Sequence, residues 1–192
     1  MKLVVAITGA SGSLYAQRLL QLLNDDETGK GPHEVHVALS GHASEVAQAE
    51  VGKLAIPEGF AVHGDASMQV PYVSGSARFD AMVIIPCSMG TLGRIAHGYS
   101  DSAITRAADV FLKEKRKLIL VPRETPWNLI QARNVVTLLE AGAEIIPAIP
   151  SFYHRPETVL DVVDTVVARV LDHLGLNHPL TKRWMEPDSK PD

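Results

Sequence analysis

Apolar and polar positions along the chain alternate between two rhythms. Residues 2–8 (KLVVAIT), 34–40 (EVHVALS), 81–86 (AMVIIP), 118–122 (LILVP) and 143–149 (AEIIPAI) are short apolar runs, most of them rich in β-branched residues. Such runs, bounded by turn residues, are the mark of strands buried on both faces. Between them the apolar residues recur at helical spacing. Over 13–24 they are Leu14, Leu19, Leu20, Leu22 and Leu23. Helices are also expected over 43–51, from a cap at Asp101 or Ser102 to about 117, and over 127–140. The last helix is the clearest, with Val159, Val162, Val163, Val166, Val167, Val170, Leu171 and Leu174 on one stripe. Pro156 and Glu157 open it and Gly175 closes it. Residues 25–32 read as a loop and 52–78 as irregular. The tail from Asn177 reads as extended or disordered, with Trp184 as the residue that could anchor it, so the domain is expected over 1–176 and the tail over 177–192.

Strand and helix alternate about five times, which implies right-handed crossovers and a parallel sheet covered on both faces. Ligands of such α/β sheets lie beyond the carboxyl ends of the strands. The residues there are Gly9 to Gly12, Ser40 and Gly41, Cys87 to Thr91, Arg123 to Thr125, and Ser151 to Tyr153. Small hydroxyls and glycine dominate, joined by one Arg, one Glu and one Tyr. That set suits a phosphate-bearing ligand with a few groups for proton transfer.

Composition narrows the class. A chain of 192 residues that is 46% hydrophobic can bury one core, and one domain fits better than two. A net charge of −4 gives no basic field for nucleic acid. One cysteine excludes an internal disulfide framework. With no signal-peptide pattern and no apolar run of membrane length, the expectation is a soluble cytoplasmic protein.

The individual motifs leave alternatives open. The first loop, GASGS, is neither a dinucleotide fingerprint nor a Walker loop. Ser13 stands where a hydrolase elbow needs its last glycine, which argues against Ser11 as a nucleophile. What remains is a strand-to-helix turn suited to a phosphate or a ring heteroatom, or a plain connection. PCSMGT repeats that logic at Ser88, Met89, Gly90 and Thr91, and Cys87 reads as a packed, inert thiol. In VPRETP, Arg123 can fork onto a phosphate and Glu124 can carry a proton, or the two can cap a helix. Arg106 and Lys113 share a helix face opposite Ile104, Ala107, Ala108, Phe111 and Leu112, which alone reads as a solvated face. Arg169 and Tyr153 stand between packing and function. The histidines form no metal set, and His173 reads as packed in the last stripe. No aspartate-rich motif is placed to hold magnesium on a diphosphate, so metal-free phosphate chemistry is expected.

Taken together, TGASG with Tyr15, PCSMGTLGRIAHG, RAADVFLKE, VPRETP and PAIPSFYHRP resemble the flavin prenyltransferases, the UbiX-like family, over about residues 2–176. The resemblance implies a single-domain α/β fold, a Rossmann- or flavodoxin-like three-layer fold with a parallel sheet. It implies a homo-oligomer, typically a dodecamer with sites between subunits. The implied reaction moves a dimethylallyl group from dimethylallyl monophosphate to N5 and C6 of reduced FMN. Its product, prenylated FMN, serves a UbiD-like partner decarboxylase. Carried over, Gly9, Ala10 and Ser11 match the first flavin loop, with Ser11 near N5. Ser40, Ser88, Met89, Gly90, Thr91 and Arg123 match further flavin-binding positions. Tyr153 and Arg169 match holders of the prenyl phosphate, and Arg106 and Lys113 match cations supplied by a neighbouring subunit. Glu124 matches an acid/base glutamate and Glu50 a second one. Met68 departs from the pattern, since some members place an aromatic residue there; Tyr72 and Trp127 are the candidate replacements. Two rivals remain: an FMN-dependent decarboxylase on the same scaffold, and a non-catalytic flavin-binding subunit.

Overall fold

The structure is a computed structural model, described for residues 1–25 and 32–180. The middle of the 25–32 loop, with the acidic Asp26 and Glu27, and the end of the tail with Trp184 lie outside the described residues. Six strands form one parallel sheet in the order β3-β2-β1-β4-β5-β6. They are β1 (Lys2–Ile7), β2 (Glu34–Leu39), β3 (Ala61–Gly64), β4 (Ala81–Cys87), β5 (Lys117–Pro122) and β6 (Glu144–Ile145). The helices are α1 (Ser13–Asn24), α2 (Ala43–Val51), α3 (Met89–Ala96), α4 (Ala103–Lys113), α5 (Leu129–Glu140) and α6 (Val159–Leu174).

Side chains of a strand alternate between sheet faces, and both faces here are apolar. Leu3, Val5 and Ile7 of β1, with Val83 and Ile85 of β4, pack under α1 and α6. Val4, Ala6, Met82 and Ile84 face the other way, toward Leu92 of α3 and Ile104, Ala108 and Phe111 of α4. The buried stripe of α6 is Val163, Val166, Val167, Val170, Leu171 and Leu174. Arg18 forks onto Asp164 at 2.7 and 3.0 Å, tying α1 to α6 at the edge of that layer.

Several boundaries differ from the sequence reading, each for a local reason. The stretch expected to be irregular contains β3 and a 3-10 turn at Pro71–Val73. β3 is a four-residue edge strand with no buried residue, so it carries no apolar run. The helix expected to reach 117 stops at Lys113, because Lys115 turns left-handed (φ 53) and Lys117 already enters β5. β6 keeps only two residues of 143–149, although Ile146 and Ala148 still donate to Leu120 and Pro122 of β5. Asn128 and Thr158, not Trp127 and Pro156, set the starts of α5 and α6, each as a capping box. His173 is not packed within the α6 stripe: its Nδ1 lies 2.6 Å from Glu144 Oε2, and its ring is part exposed.

The strand order reverses between β1 and β4. The chain leaves β1 toward β2 and β3 on one side, then returns to place β4 on the other. The loops after β1 and β4 therefore diverge, and a crevice opens between them at the carboxyl edge.

Candidate functional site

The turn after β1 is held by a carboxylate of its own chain. Gly12 N–H donates to both Glu50 oxygens at 3.1 and 3.0 Å, and Ser13 N–H donates to Oε2 at 2.8 Å. Glu50 comes from the last turn of α2 and sits at the start of α1, where the helix dipole favours a negative charge. Partial burial opposes its ionisation. Hydrogen bonds from the Ser11 hydroxyl, the Ser13 and Gly12 amides and the Ser13 hydroxyl outweigh that, and its pKa is lowered. Two of the amides read from sequence as a phosphate cradle are thus already engaged by Glu50. Gly12 accommodates the turn with φ 120, and a β-carbon there would meet the Tyr15 ring at 2.9 Å. Arg123, from the end of β5, reaches across to donate from Nε to Ser11 O at 3.2 Å. Burial raises the Tyr15 pKa, and the Arg123 charge opposes that rise.

The turn after β4 remains open. Thr8 Oγ1 donates to Pro86 O at 2.8 Å and accepts from Ser88 N–H at 2.8 Å, locking the two turns together. Ser88 caps α3 by accepting from Thr91 N–H at 3.2 Å. A cleft of about 310 Å³ lies beside this helix start, lined by Gly9, Ser40, Gly41, Ser88 and Thr91. His42, Asp65, Arg94, Asp101, Ser102, Ile104 and Thr105 complete it. Gly9 cannot carry a side chain without conflict, since a β-carbon would come 2.6 Å from His42 Cβ. Cys87 is fully buried and its thiol is pushed up to about 12 by burial, with a weaker opposing hydrogen bond from the Leu92 backbone, so it offers no thiolate.

Of the residues expected at the site, Ser11, Glu50 and Arg123 meet at the first turn, and Gly9, Ser40, Ser88 and Thr91 meet at the cleft. Ala10 and Met89 are buried beneath the two loops, and Gly90 is exposed on α3. The others lie on the surface with local partners. Glu124 Oε1 accepts from Thr125 N–H at 3.1 Å, and its carbonyl accepts from Trp127 Nε1 at 3.0 Å. Tyr153 is exposed, its ring 4.1 Å from that of His154. Arg169 pairs with Asp172 at 2.7 Å, Arg106 with Asp109 at 3.0 Å and Lys113 with Glu114 at 3.5 Å. Ser102 and Thr105 at the start of α4 touch the cleft, but Lys113 ends that helix, about 15 Å further along at 1.5 Å per residue. Lys113 therefore lies toward the opposite edge of the sheet. Tyr72 is not a free pocket wall: it is 1% exposed and packs edge-on against His36, His63 and Phe79. Met68 and Trp127 are exposed.

Sequence reasoning missed Asp65, Arg94, Asp101 and Thr105. Asp65 directly follows β3, so the strand-end rule would have found it had that strand been recognised. Arg94 sits within a helix, where no strand-end signal points to it.

The Flavoprotein family model matches residues 1–171 of the chain. A flavin prenyltransferase UbiX from Methanocaldococcus jannaschii is 44% identical over 191 residues, covering 96% of this chain and 98% of its own. Among solved structures, a dodecameric FMN-dependent UbiX-like decarboxylase from Escherichia coli O157:H7 superposes with a TM-score of 0.89 at 42% identity, covering 97% of this chain and all of its own. AnUbiX in complex with FMN and dimethylallyl pyrophosphate superposes with a TM-score of 0.86 at 36% identity, covering 97% and 98%.

Proposed function

Because the chain belongs to the UbiX-like flavin prenyltransferases of the Flavoprotein family, we propose that it transfers a dimethylallyl group from dimethylallyl monophosphate to N5 and C6 of reduced FMN. The observation that carries this reading is the junction of Ser11, Glu50 and Arg123 beside a cleft of phosphate-binding character. The donor set fits FMN. Hydroxyls of Ser40, Ser88 and Thr91 and the start of α3 suit its phosphate, and the Arg123 guanidinium at the first turn suits the polar edge of a flavin ring. When bound, reduced FMN supplies the nucleophilic nitrogen and carbon. In this reading Ser11, held by Glu50 and Arg123, would position that nitrogen without forming a bond to it.

Glu124 is the general acid/base of the reading, protonating the departing phosphate or relaying its proton. Tyr153, Arg169, Arg106 and Lys113 stabilise the charge on that phosphate. These residues are spread over the surface of one chain, so the reading requires neighbouring copies to complete the site. A homo-oligomer, with the dodecamer of the E. coli neighbour as its form, fits the apolar residues that α5 exposes: Leu129, Ile130, Val136 and Leu139. The product would pass to a UbiD-like decarboxylase. No described helix is long and apolar enough to cross a membrane, and a cytoplasmic location fits the single, buried cysteine.

The deciding experiment is anaerobic incubation of the purified protein with reduced FMN and dimethylallyl monophosphate, then mass spectrometry of the released flavin. A flavin heavier by one prenyl group is the expected result; unchanged flavin overturns the reading. Parallel incubation with the pyrophosphate tests the donor bound by AnUbiX. An FMN-dependent decarboxylase would instead release carbon dioxide from an acid substrate and leave the flavin mass unchanged.

A further inference from the structure

Among the described residues lining the cleft, Arg94 is the only lysine or arginine. It stands in the last turn of α3, yet its guanidinium lies back along the helix toward the start. Its Nη1 is 3.6 Å from the position a β-carbon on Gly90 would take. Side chains on a helix lean toward its N-terminus, and Gly90, one turn earlier, leaves the path clear. The charge thus sits beside the capped start of α3, where Ser88 and Thr91 line the cleft.

The Nε of Arg94 faces Asp101 Oδ2 at 3.3 Å across the cleft mouth. Both side chains are more than half exposed, so this pair is weak and screened. Asp101 has another partner, since Thr105 Oγ1 donates to its Oδ1 at 3.2 Å. Asp101 can give up the arginine and stay hydrogen-bonded. A phosphate dianion at the α3 start is a stronger partner for a guanidinium than one exposed carboxylate, because it carries close to twice the negative charge and can take a two-bond fork where Asp101 meets Arg94 through Nε. The cleft also contains Asp65 and Asp101, which repel an anion unless a cation intervenes.

Building on the flavin reading above, we infer that Arg94 makes the site selective for the phosphorylated flavin, trading its contact with Asp101 for the 5′-phosphate when FMN binds. Arg123 is engaged at the other turn, with Ser11 O, and so does not do this work. The Arg94–Asp101 pair then acts as a self-competitor: it keeps the cation in place before binding and is given up only to a ligand that carries a phosphate.

The test is to titrate the full chain with FMN and with riboflavin, which lacks only the phosphate, following flavin fluorescence. The native protein should prefer FMN, and that preference should shrink with added salt. Arg94→Gln should weaken FMN roughly 10- to 100-fold, the worth of a charge-assisted hydrogen bond or two, and leave riboflavin unchanged. Arg94→Lys should restore part of the loss. Asp101→Asn should strengthen FMN severalfold without changing riboflavin, since it removes both a competitor and a repelling charge. Unchanged riboflavin binding shows that the variants are folded. Equal weakening of both flavins in Arg94→Gln, or of neither, overturns the inference and leaves the flavin reading intact. A native protein that binds neither flavin overturns both.

Discussion

Glu50 and Glu124 are both acidic side chains expected near the flavin, and their surroundings give them different work. Glu50 is fixed by two backbone amides and two hydroxyls at the start of α1. Its folded pKa lies below its unfolded value, so its carboxylate adds stability above the ordinary glutamate range, and that stability is lost as the pH falls through the folded value. Glu50→Gln should flatten this acid limb in thermal denaturation followed from pH 3 to 6. Glu50→Ala should destabilise the fold by about 1 kcal/mol, the usual cost of losing a helix cap. The Glu124 carboxylate accepts from the Thr125 amide next to it and is exposed. Glu124→Gln should therefore leave folding and FMN binding unchanged while lowering turnover by roughly 100- to 10,000-fold, the range of a general acid/base. Turnover of variant and native protein under anaerobic single-turnover conditions checks this, and normal turnover would remove Glu124 from the mechanism.

At the scale of elements, β3 is an exposed edge of the sheet that leads directly into Asp65 on the cleft wall. Asp65, which follows it, donates from N to Leu39 O at 3.0 Å and accepts at O from Ala103 N–H at 2.7 Å. Beside it, His63 stacks on His36 of β2, with His63 Nε2 3.1 Å from His36 Nδ1. The other nitrogen of His36 lies 3.1 Å from Glu34 Oε1, which also pairs with Lys2. Tyr72 and Phe79 close the cluster; burial, aided by the Asp65 charge, pushes the Tyr72 hydroxyl up to about 12, so it stays neutral. Only one proton fits between the facing histidine nitrogens. Burial, and then the charge of His36, lowers the His63 pKa below its ordinary 6.5. The unfolded chain takes up this proton first, so stability should decline as the pH falls from about 6.5 through the folded value. His63→Asn should flatten the decline in denaturant titrations between pH 5 and 7. In the native protein at pH 5, hydrogen exchange should open the β3 amides before those of β1 and β4.

At the scale of the whole molecule, residues assigned to the proposed site lie at different ends of one chain. The cleft with Ser88 and Arg94 lies at the carboxyl edge of the sheet, whereas Lys113 ends α4 where the chain turns to begin β5. A reaction that needs both requires a second copy. Lys113→Ala and Arg123→Ala should each be inactive alone. Mixed under conditions that let subunits exchange, they should regain part of the activity, because some sites then receive an intact lysine and an intact arginine from different chains. No recovery, with exchange confirmed by mass spectrometry, would place the whole site within one chain. Ile130→Glu, on the exposed flank of α5, should lower the assembly mass in light scattering.

The local pattern of residues determined much of the architecture. The bounds of α1 and α2, the buried β1 and β4, the αL glycine that ends α6 and the packed thiol of Cys87 all follow from periodicity, caps and burial within a few residues. The two glycine- and serine-bearing loops could also be assigned to one crevice, because parallel sheets place strand ends together. Tertiary structure decided the rest, where the partner comes from far along the chain. β3 carries no apolar run and is a strand only because β2 offers it an edge. Glu50 fills the first turn, which in isolation looks like a place for a phosphate. Tyr72, polar and in a loop by sequence, is buried by two histidines brought together from neighbouring strands. Arg94 reaches the cleft because a helix folds its charge back over a glycine, and only the fold brings that helix start beside Asp65 and Asp101 from other segments.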